Sequence, residues 1–422
     1  MKGKTVVILM LLLVSGMLVY NLAVKEPPAD SPPGGGNEEP DPPGDDVIAE
    51  IMQMMTLEEK IGQLFMPSFQ LDSEGKPVKA VNQEIREQLE QFPVGGVILF
   101  APNIETVDQT RSLIAELQAL SKIPLFIAVD EEGGKVSRLN HDRSRIGATK
   151  LPGNAALGNT GDPELAYRVG QLLGRELSVL GFNMNMAPVA DVNTNPDNPV
   201  IGERAFGSDP HEVAQMVERM VQGIQSENVS SVIKHFPGHG DTAHDTHLGA
   251  VVLGHGRERL EDVEWVPFRQ GIAAGADGIM VAHLIVPQVS GSELPASLSA
   301  EILTGVLREE MQYTGLIMTD ALDMGAITDH FSPTEAVVKA VAAGVDILLM
   351  PESLAAGYQA LLAAVKQGRI SEERIDASVR RILQTKKQRG ILDGVTLHPD
   401  PQAILGSEAH KQIAEEILVR QM

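Results

Sequence analysis

The sequence predicts an α/β fold of the closed (β/α)8 type, and three observations carry that expectation. Eight short apolar runs rich in β-branched residues recur along the chain, segments of helical period lie between them, and together they fill about 350 of the 422 residues. Eight buried-type strands alternating with helices over such a span fit a TIM-type barrel better than a doubly wound sheet.

The strand candidates, in order, are IGQLFMPSF from Ile61, VGGVILF from Val94, PLFIAVD from Pro124 and FNMNMAPVAD from Phe182. SSVIKHF from Ser230, GIMVAH from Gly278, LIMTDAL from Leu316 and VDILLMP from Val345 complete the set. Helical periodicity is clearest from Pro163 to Leu180, from Pro210 to Gln225 after a Ser208 or Asp209 cap, from Ala300 to Met311, and from Pro333 to Ala342 after Ser332. Two more helices are expected after the last strand, Ser353 to Gln367 and Ser371 to Lys387, followed by a polar tail from 396 to 422 with no second folded domain. The folded body therefore spans 47–395.

Ahead of it, Thr5 to Val24 is a near-continuous apolar run without charge, preceded by Lys2 and Lys4. Twenty such residues are enough to span a bilayer, and the basic flank predicts that the N-terminus stays cytoplasmic while everything after Lys25 crosses. Residues 1–25 thus read as a signal-anchor, the alternative being a cleaved secretory signal; the run is long for a signal and no clean Ala-x-Ala site comes after it. Either way the protein is expected to be exported, membrane-anchored in the first case and secreted in the second. From Glu26 to Asp46 the chain holds seven Pro, four Gly, seven acids and no base. Such a stretch buries no apolar surface and is expected to act as an extended tether, reaching roughly 65 Å at about 3.1 Å per residue.

Composition narrows the function. With 34 Lys+Arg against 57 Asp+Glu and a net charge of −23, the surface repels phosphate backbones, so nucleic acid is excluded as a partner. The absence of Cys rules out disulfides, a thiolate nucleophile, Cys-ligated zinc, iron–sulfur clusters and a lipid-modified N-terminal Cys.

In a barrel, groups at the C-terminal ends of strands carry chemistry while those at strand starts serve stability. That rule selects Asp130, Asp191, Lys234, His235, His283 and Asp320, and assigns Asp277 and Asp346 to structure. The densest polar cluster is KHFPGHGDTAHDTH, Lys234 to His247, with four of the eleven His. Pro237, Gly238 and Gly240 prevent a regular helix there, so His235 and His239 are not the one-face pair of a helical zinc site. A catalytic loop, a metal site assembled from loop residues and a solvated polar loop all remain open on this pattern alone.

The same cluster resembles the Lys-His-Phe-Pro-Gly-His-Gly signature of glycoside hydrolase family 3, in its β-N-acetylglucosaminidase branch, including the Asp-x-His that comes next. VDEEGGKVSR from Val129, VIGERAFG from Val200 and IMTDALDMGAI from Ile317 match other motifs of that family in the same order. The resemblance implies that Asp320 is the nucleophile, His247 the acid/base and Asp245 its partner. It also implies that Asp130, Arg138, Arg204, Lys234 and His235 bind an N-acetylglucosamine unit. Thr246 stands where many members have Ser, a change expected to be harmless. Many relatives carry a second α/β domain, and SEAHKQIAEEILVRQM looks like the linker to it.

The resemblance implies a reaction as well: exo-acting hydrolysis of terminal N-acetylglucosamine from peptidoglycan-derived fragments, retaining, through a glycosyl-Asp320 intermediate. Imidazole suits the acid/base task because its reference pKa of about 6.5 already lies near neutrality. Asp323, three residues past Asp320, ranks below it because it lies beyond the strand end. No cofactor or metal is expected, the substrate is a small carbohydrate, the membrane is met only through the N-terminal segment, and the chain is expected to be a monomer. The alternatives are a metal-dependent barrel hydrolase and a non-catalytic surface carbohydrate-binding protein.

Overall fold

The computed structural model describes residues 45–394 and 398–421. The apolar run Thr5–Val24 lies outside them, as does the tether apart from Asp45 and Asp46, which open the helix Asp45–Met54. Among the described residues no helix is long and apolar enough to cross a membrane.

Among the described residues ten strands form: β1 (Phe65–Met66), β2 (Gly96–Leu99), β3 (Phe126–Val129), β4 (Met184–Asn185), β5 (Ser230–Phe236), β6 (Val251–Val252), β7 (Gly278–Val281), β8 (Leu284–Ile285), β9 (Leu316–Thr319) and β10 (Leu348–Leu349). Six of them pair in parallel in the order β2-β3-β4-β5-β7-β9, while β1 with β10 and β6 with β8 form separate two-stranded pairs. Every residue of the four-residue strands is buried, which is why they read as continuous apolar runs rather than as alternation.

The expected closed eight-stranded barrel is corrected by this topology: the continuous ladder is an open, half-barrel sheet of six parallel strands. Only single bridges, Ser68 with Ile98 and Met318 with Ile347, flank the β1–β10 pair. The cause lies in local sequence. Ahead of the first candidate run Thr56 and Glu59 form a capping box whose helix Leu57–Gln63 takes the first three of the run's nine residues, and Pro67 comes directly after β1. Pro188 lies just past β4, and Met350, with φ 45°, and Pro351 lie just past β10; a residue without an N–H or with left-handed backbone cannot continue a ladder.

The helices obey their end signals. Asp162 and Asp209 each accept from two backbone N–H groups ahead of a proline at the first helical position, opening Pro163–Ser178 and Pro210–Gln225. Ser332 and Glu335 make a capping box for Pro333–Ala343. Near the C-terminus, helix Glu408–Arg420 rests against Pro163–Ser178 through Arg168–Glu416 at 2.7 Å and the buried pair His410–Glu176 at 2.9 Å.

Strand starts are structural, as expected. Asp346 is fully buried and bonds Arg308, Arg381 and Ser378, and Asp277 is clasped by both sides of the Arg389 guanidinium.

Candidate active site

Strands β3, β5 and β9 deliver Asp130, Lys234, His235 and Asp320 to one side of the sheet, where they line a cleft of about 330 Å³. Arg138, Arg204 and His247 line it too, so seven of the eight residues that the family resemblance implies share one cavity, while the strand-end candidates Asp191 and His283 lie outside its lining. The eighth, Asp245, stands behind His247: its Oδ1 accepts from the His247 backbone N–H at 2.9 Å and from the ring Nδ1 at 2.7 Å. That second bond places the proton on Nδ1 and leaves Nε2 of His247 for the cleft. The imidazole is 65% exposed, so it is open to a ligand.

On the other wall an ion network fixes the cations. Lys234 Nζ lies 2.6 Å from both Asp130 Oδ1 and Glu132 Oε1. Arg204 grips Glu132 through Nη2 at 2.8 Å and Nε at 3.0 Å, and the same Nη2 approaches His235 Nε2 at 3.2 Å. His235 Nδ1 in turn donates to Asp191 Oδ2 at 2.7 Å, which orients the ring beside Arg204. Burial pushes Glu132 up, yet Lys234 and Arg204 outweigh it and bring its carboxyl down to about 2. The same carboxylates raise Arg204 and Lys234 despite the desolvation that opposes their charge. Both cations therefore stay charged in a dry wall.

Arg138 stacks on Phe100, 5.4 Å from the ring centroid, with Asp130 Oδ2 at 3.8 Å; its buried Nε has no partner among the described residues. An unpaired buried donor is costly. Its loop is held from below by Glu131, whose Oε2 accepts from the backbone N–H groups of Arg138 and Leu139 at 2.7 and 3.0 Å. Burial raises that carboxyl to about 7.

Two carboxylates near the mouth differ in preparation. Asp320 is pushed up by burial but held below its ordinary value by His235, His283, the Ala321 N–H and Lys234. Asp323 is raised, first by burial and further by Asp320 and Glu352. Of the two, Asp320 is the one held below its ordinary value.

The loop after β5 owes its course to glycine: a Cβ on Gly240 would sit 1.9 Å from the Val192 carbonyl oxygen. His239 donates from Nδ1 to Thr242 at 2.6 Å and accepts at Nε2 from Thr246 at 3.3 Å, so the Thr246 hydroxyl is engaged rather than idle. Both nitrogens of His235 and of His239 are thus committed to hydrogen bonds, which removes their lone pairs from metal ligation. Among the described residues no three His, Asp or Glu side chains converge as a metal-binding group. Glu131 and Glu132 are the site residues missed from sequence, whereas Asp191, selected there as a strand-end group, serves as the partner of His235. The only signal was that Glu131 and Glu132 directly succeed Asp130 at the end of β3, in VDEEGGKVSR.

Carboxylates, cations and an aspartate-oriented imidazole gathered at the C-terminal ends of parallel strands make the site plan of an α/β enzyme. The chain belongs to glycosyl hydrolase family 3: residues 56–385 match the Glycosyl hydrolase family 3 N terminal domain. It is 35% identical over 362 residues to Beta-hexosaminidase A of Pseudoalteromonas piscicida, covering 79% of this chain and 60% of that protein. It is 35% identical over 333 residues to a Beta-hexosaminidase of Nitrosomonas eutropha, covering 76% of this chain and 92% of that one. Among solved structures, a glycoside hydrolase family 3 beta-N-acetylglucosaminidase from a Paenibacillus species superposes with a TM-score of 0.81 at 41% identity, covering 87% of this chain and 69% of that one. The chain spans only 60 and 65% of the length of two of its curated relatives.

Proposed function

We propose that this protein is an exo-acting, retaining β-N-acetylglucosaminidase. The observation that carries the proposal is the joint presence, in one cleft, of Asp320 held ionised and His247 oriented by Asp245. Asp320 attacks the anomeric carbon while His247 protonates the departing oxygen, giving a glycosyl-Asp320 ester; His247 then takes a proton from water as the ester is cleaved. Asp245 stabilises the imidazolium that donates the proton in the first step and re-forms in the second. Asp130 accepts from sugar hydroxyls, and Arg138 and Arg204 offer planar donor forks to hydroxyl or acetamido oxygens, with Lys234 and His235 completing the wall. Relatives named as hexosaminidases and a structural neighbour named as a β-N-acetylglucosaminidase support N-acetylglucosamine as the sugar.

We further propose that the substrate is a peptidoglycan-derived fragment, met outside the cytoplasm by a body tethered through residues 1–46. The apolar run and acidic tether support that placement, because export through them puts the cleft beside cell-wall polysaccharide. The test of the activity is release from aryl β-glycosides of N-acetylglucosamine, glucose and xylose at neutral pH. Faster release from glucose than from N-acetylglucosamine would overturn the assigned sugar, and no release from any would overturn the activity.

A further inference from the structure

The cleft contains a carboxylate that this reaction does not use. Asp130 and Glu132 are committed to Lys234 and Arg204, and Asp320 is the nucleophile. Asp323 lines the same cleft, is exposed, and among the described residues its carboxylate bonds nothing but its own backbone N–H.

Its place in the chain decides what it meets. Asp323 lies in the turn that leads from Asp320 into the short helix Gly325–Thr328, and that turn is packed directly against the loop carrying His247. Ala326 N–H donates to the Thr246 carbonyl at 3.1 Å, and a Cβ on Gly325 would come within 2.8 Å of the His247 carbonyl oxygen. The nucleophile turn and the acid/base loop therefore share one seam. A general acid must stand beside the leaving oxygen, so the departing group has to lie along this seam, within reach of Asp323. An ionised carboxylate only accepts hydrogen bonds, and its two oxygens, engaged by no side chain, suit a pair of neighbouring hydroxyls. It offers nothing to a bare aryl group and repels an anion.

We propose that Asp323 determines leaving-group specificity by accepting hydrogen bonds from hydroxyls of a second sugar residue as that sugar departs beside His247. This rests on the glycosidase reading. In the step concerned, the bond from the anomeric carbon to the leaving oxygen breaks, the bond to Asp320 forms, and His247 supplies the proton; Asp323 transfers none.

The test compares kcat/KM of the full chain and of Asp323→Ala on two substrates. One is the β-linked disaccharide of N-acetylglucosamine, whose leaving group carries hydroxyls; the other is N-acetyl-β-glucosaminyl fluoride, whose leaving group carries none. Losing a hydrogen bond to a charged group, the variant should fall about tenfold or more on the disaccharide. On the fluoride its loss should be several-fold smaller, which also shows that the variant is folded. Equal losses on the two substrates, or no loss on either, overturn the assignment of Asp323 while the glycosidase reading stands. If the unaltered chain cleaves neither substrate, the glycosidase reading itself falls and takes this inference with it.

Discussion

At the scale of single residues, the cleft separates two tasks by electrostatics. Asp320 is kept ionised by His235, His283 and Lys234 against the pull of burial, whereas Asp323, three residues on, is raised. Asp320→Ala should therefore lower turnover of an activated aryl N-acetylglucosaminide by at least about a thousandfold with the fold intact. A fluorinated N-acetylglucosamine derivative with a good leaving group should label Asp320 covalently, and a label mapped to Asp323 would reverse the two roles. For His247 the expected signature is a dependence on leaving group. His247→Ala should cost about 10² to 10⁴-fold on the disaccharide, which cannot leave without a proton, and much less on an activated aryl glycoside in its first step. Deglycosylation still lacks its base, so the aryl substrate should show a burst. Asp245→Asn keeps the imidazole but removes the charge bonded to it at 2.7 Å; the basic limb of the rate–pH profile should move to lower pH. Uniform losses, no burst and an unmoved profile would return the pair to a binding role.

At the scale of elements, loops decide the geometry that strands support. The loop from Asp130 to Leu139 carries Arg138 and is pinned by Glu131, a 3% exposed carboxyl raised to about 7. A folded-state value above the unfolded one means that the native state holds the extra proton. Stability from this group is thus complete below about 4.5, declines as pH rises, and is lost above about 7, a span worth on the order of 3 kcal/mol. Glu131→Gln, which still accepts from backbone N–H groups, should remove that decline, seen as a Tm difference between variant and parent that grows from pH 4.5 to 7.5. Parallel Tm curves would refute it. The seam at Gly325 offers a second check: Gly325→Ala forces a Cβ to within 2.8 Å of the His247 carbonyl and should lower kcat by about 10-fold or more, worst for poor leaving groups. Legibility from sequence splits along the same line between strands and loops. SSVIKHF read as a strand and is β5 over its full length, and Asp209 and Ser332 cap helices where their patterns placed them. Closure of the barrel could not be read from pattern, because proline and helix caps truncated β1, β4 and β10 inside convincing apolar runs. Glu132 escaped notice because its value comes from partners 72 and 102 positions away, Arg204 and Lys234, and no local spacing encodes such a network.

At the scale of the whole molecule, the sequence divides where composition changes from Pro, Gly and acid to amphipathic helix, and the compact unit begins at Gly44. The folded body opens with helix Asp45–Met54, whose Ile48 and Met52 are 2% and 7% exposed and belong to the main core. Each such side chain contributes roughly 1.5 to 3 kcal/mol by leaving water, a large share of the net stability of an ordinary domain. Two truncations should therefore behave differently although they differ by only about a dozen residues. Removal of residues 1–43 should release from membranes a soluble protein with kcat/KM within about twofold of the full chain, since the cleft is lined by residues between Ile98 and Met350. Removal of residues 1–55 strips Ile48 and Met52 from the core and should lower Tm by several degrees, with disruption of the apolar surface formed by Ile51, Met54, Met55, Pro93 and Leu392. Cell fractionation with activity assay reads the first, thermal unfolding the second. If the full chain partitions with the soluble fraction, the anchor is refuted. If the shorter truncation is inactive, the N-terminal segment belongs to the catalytic fold, and the tether that its composition describes would have to be a working part of the cleft.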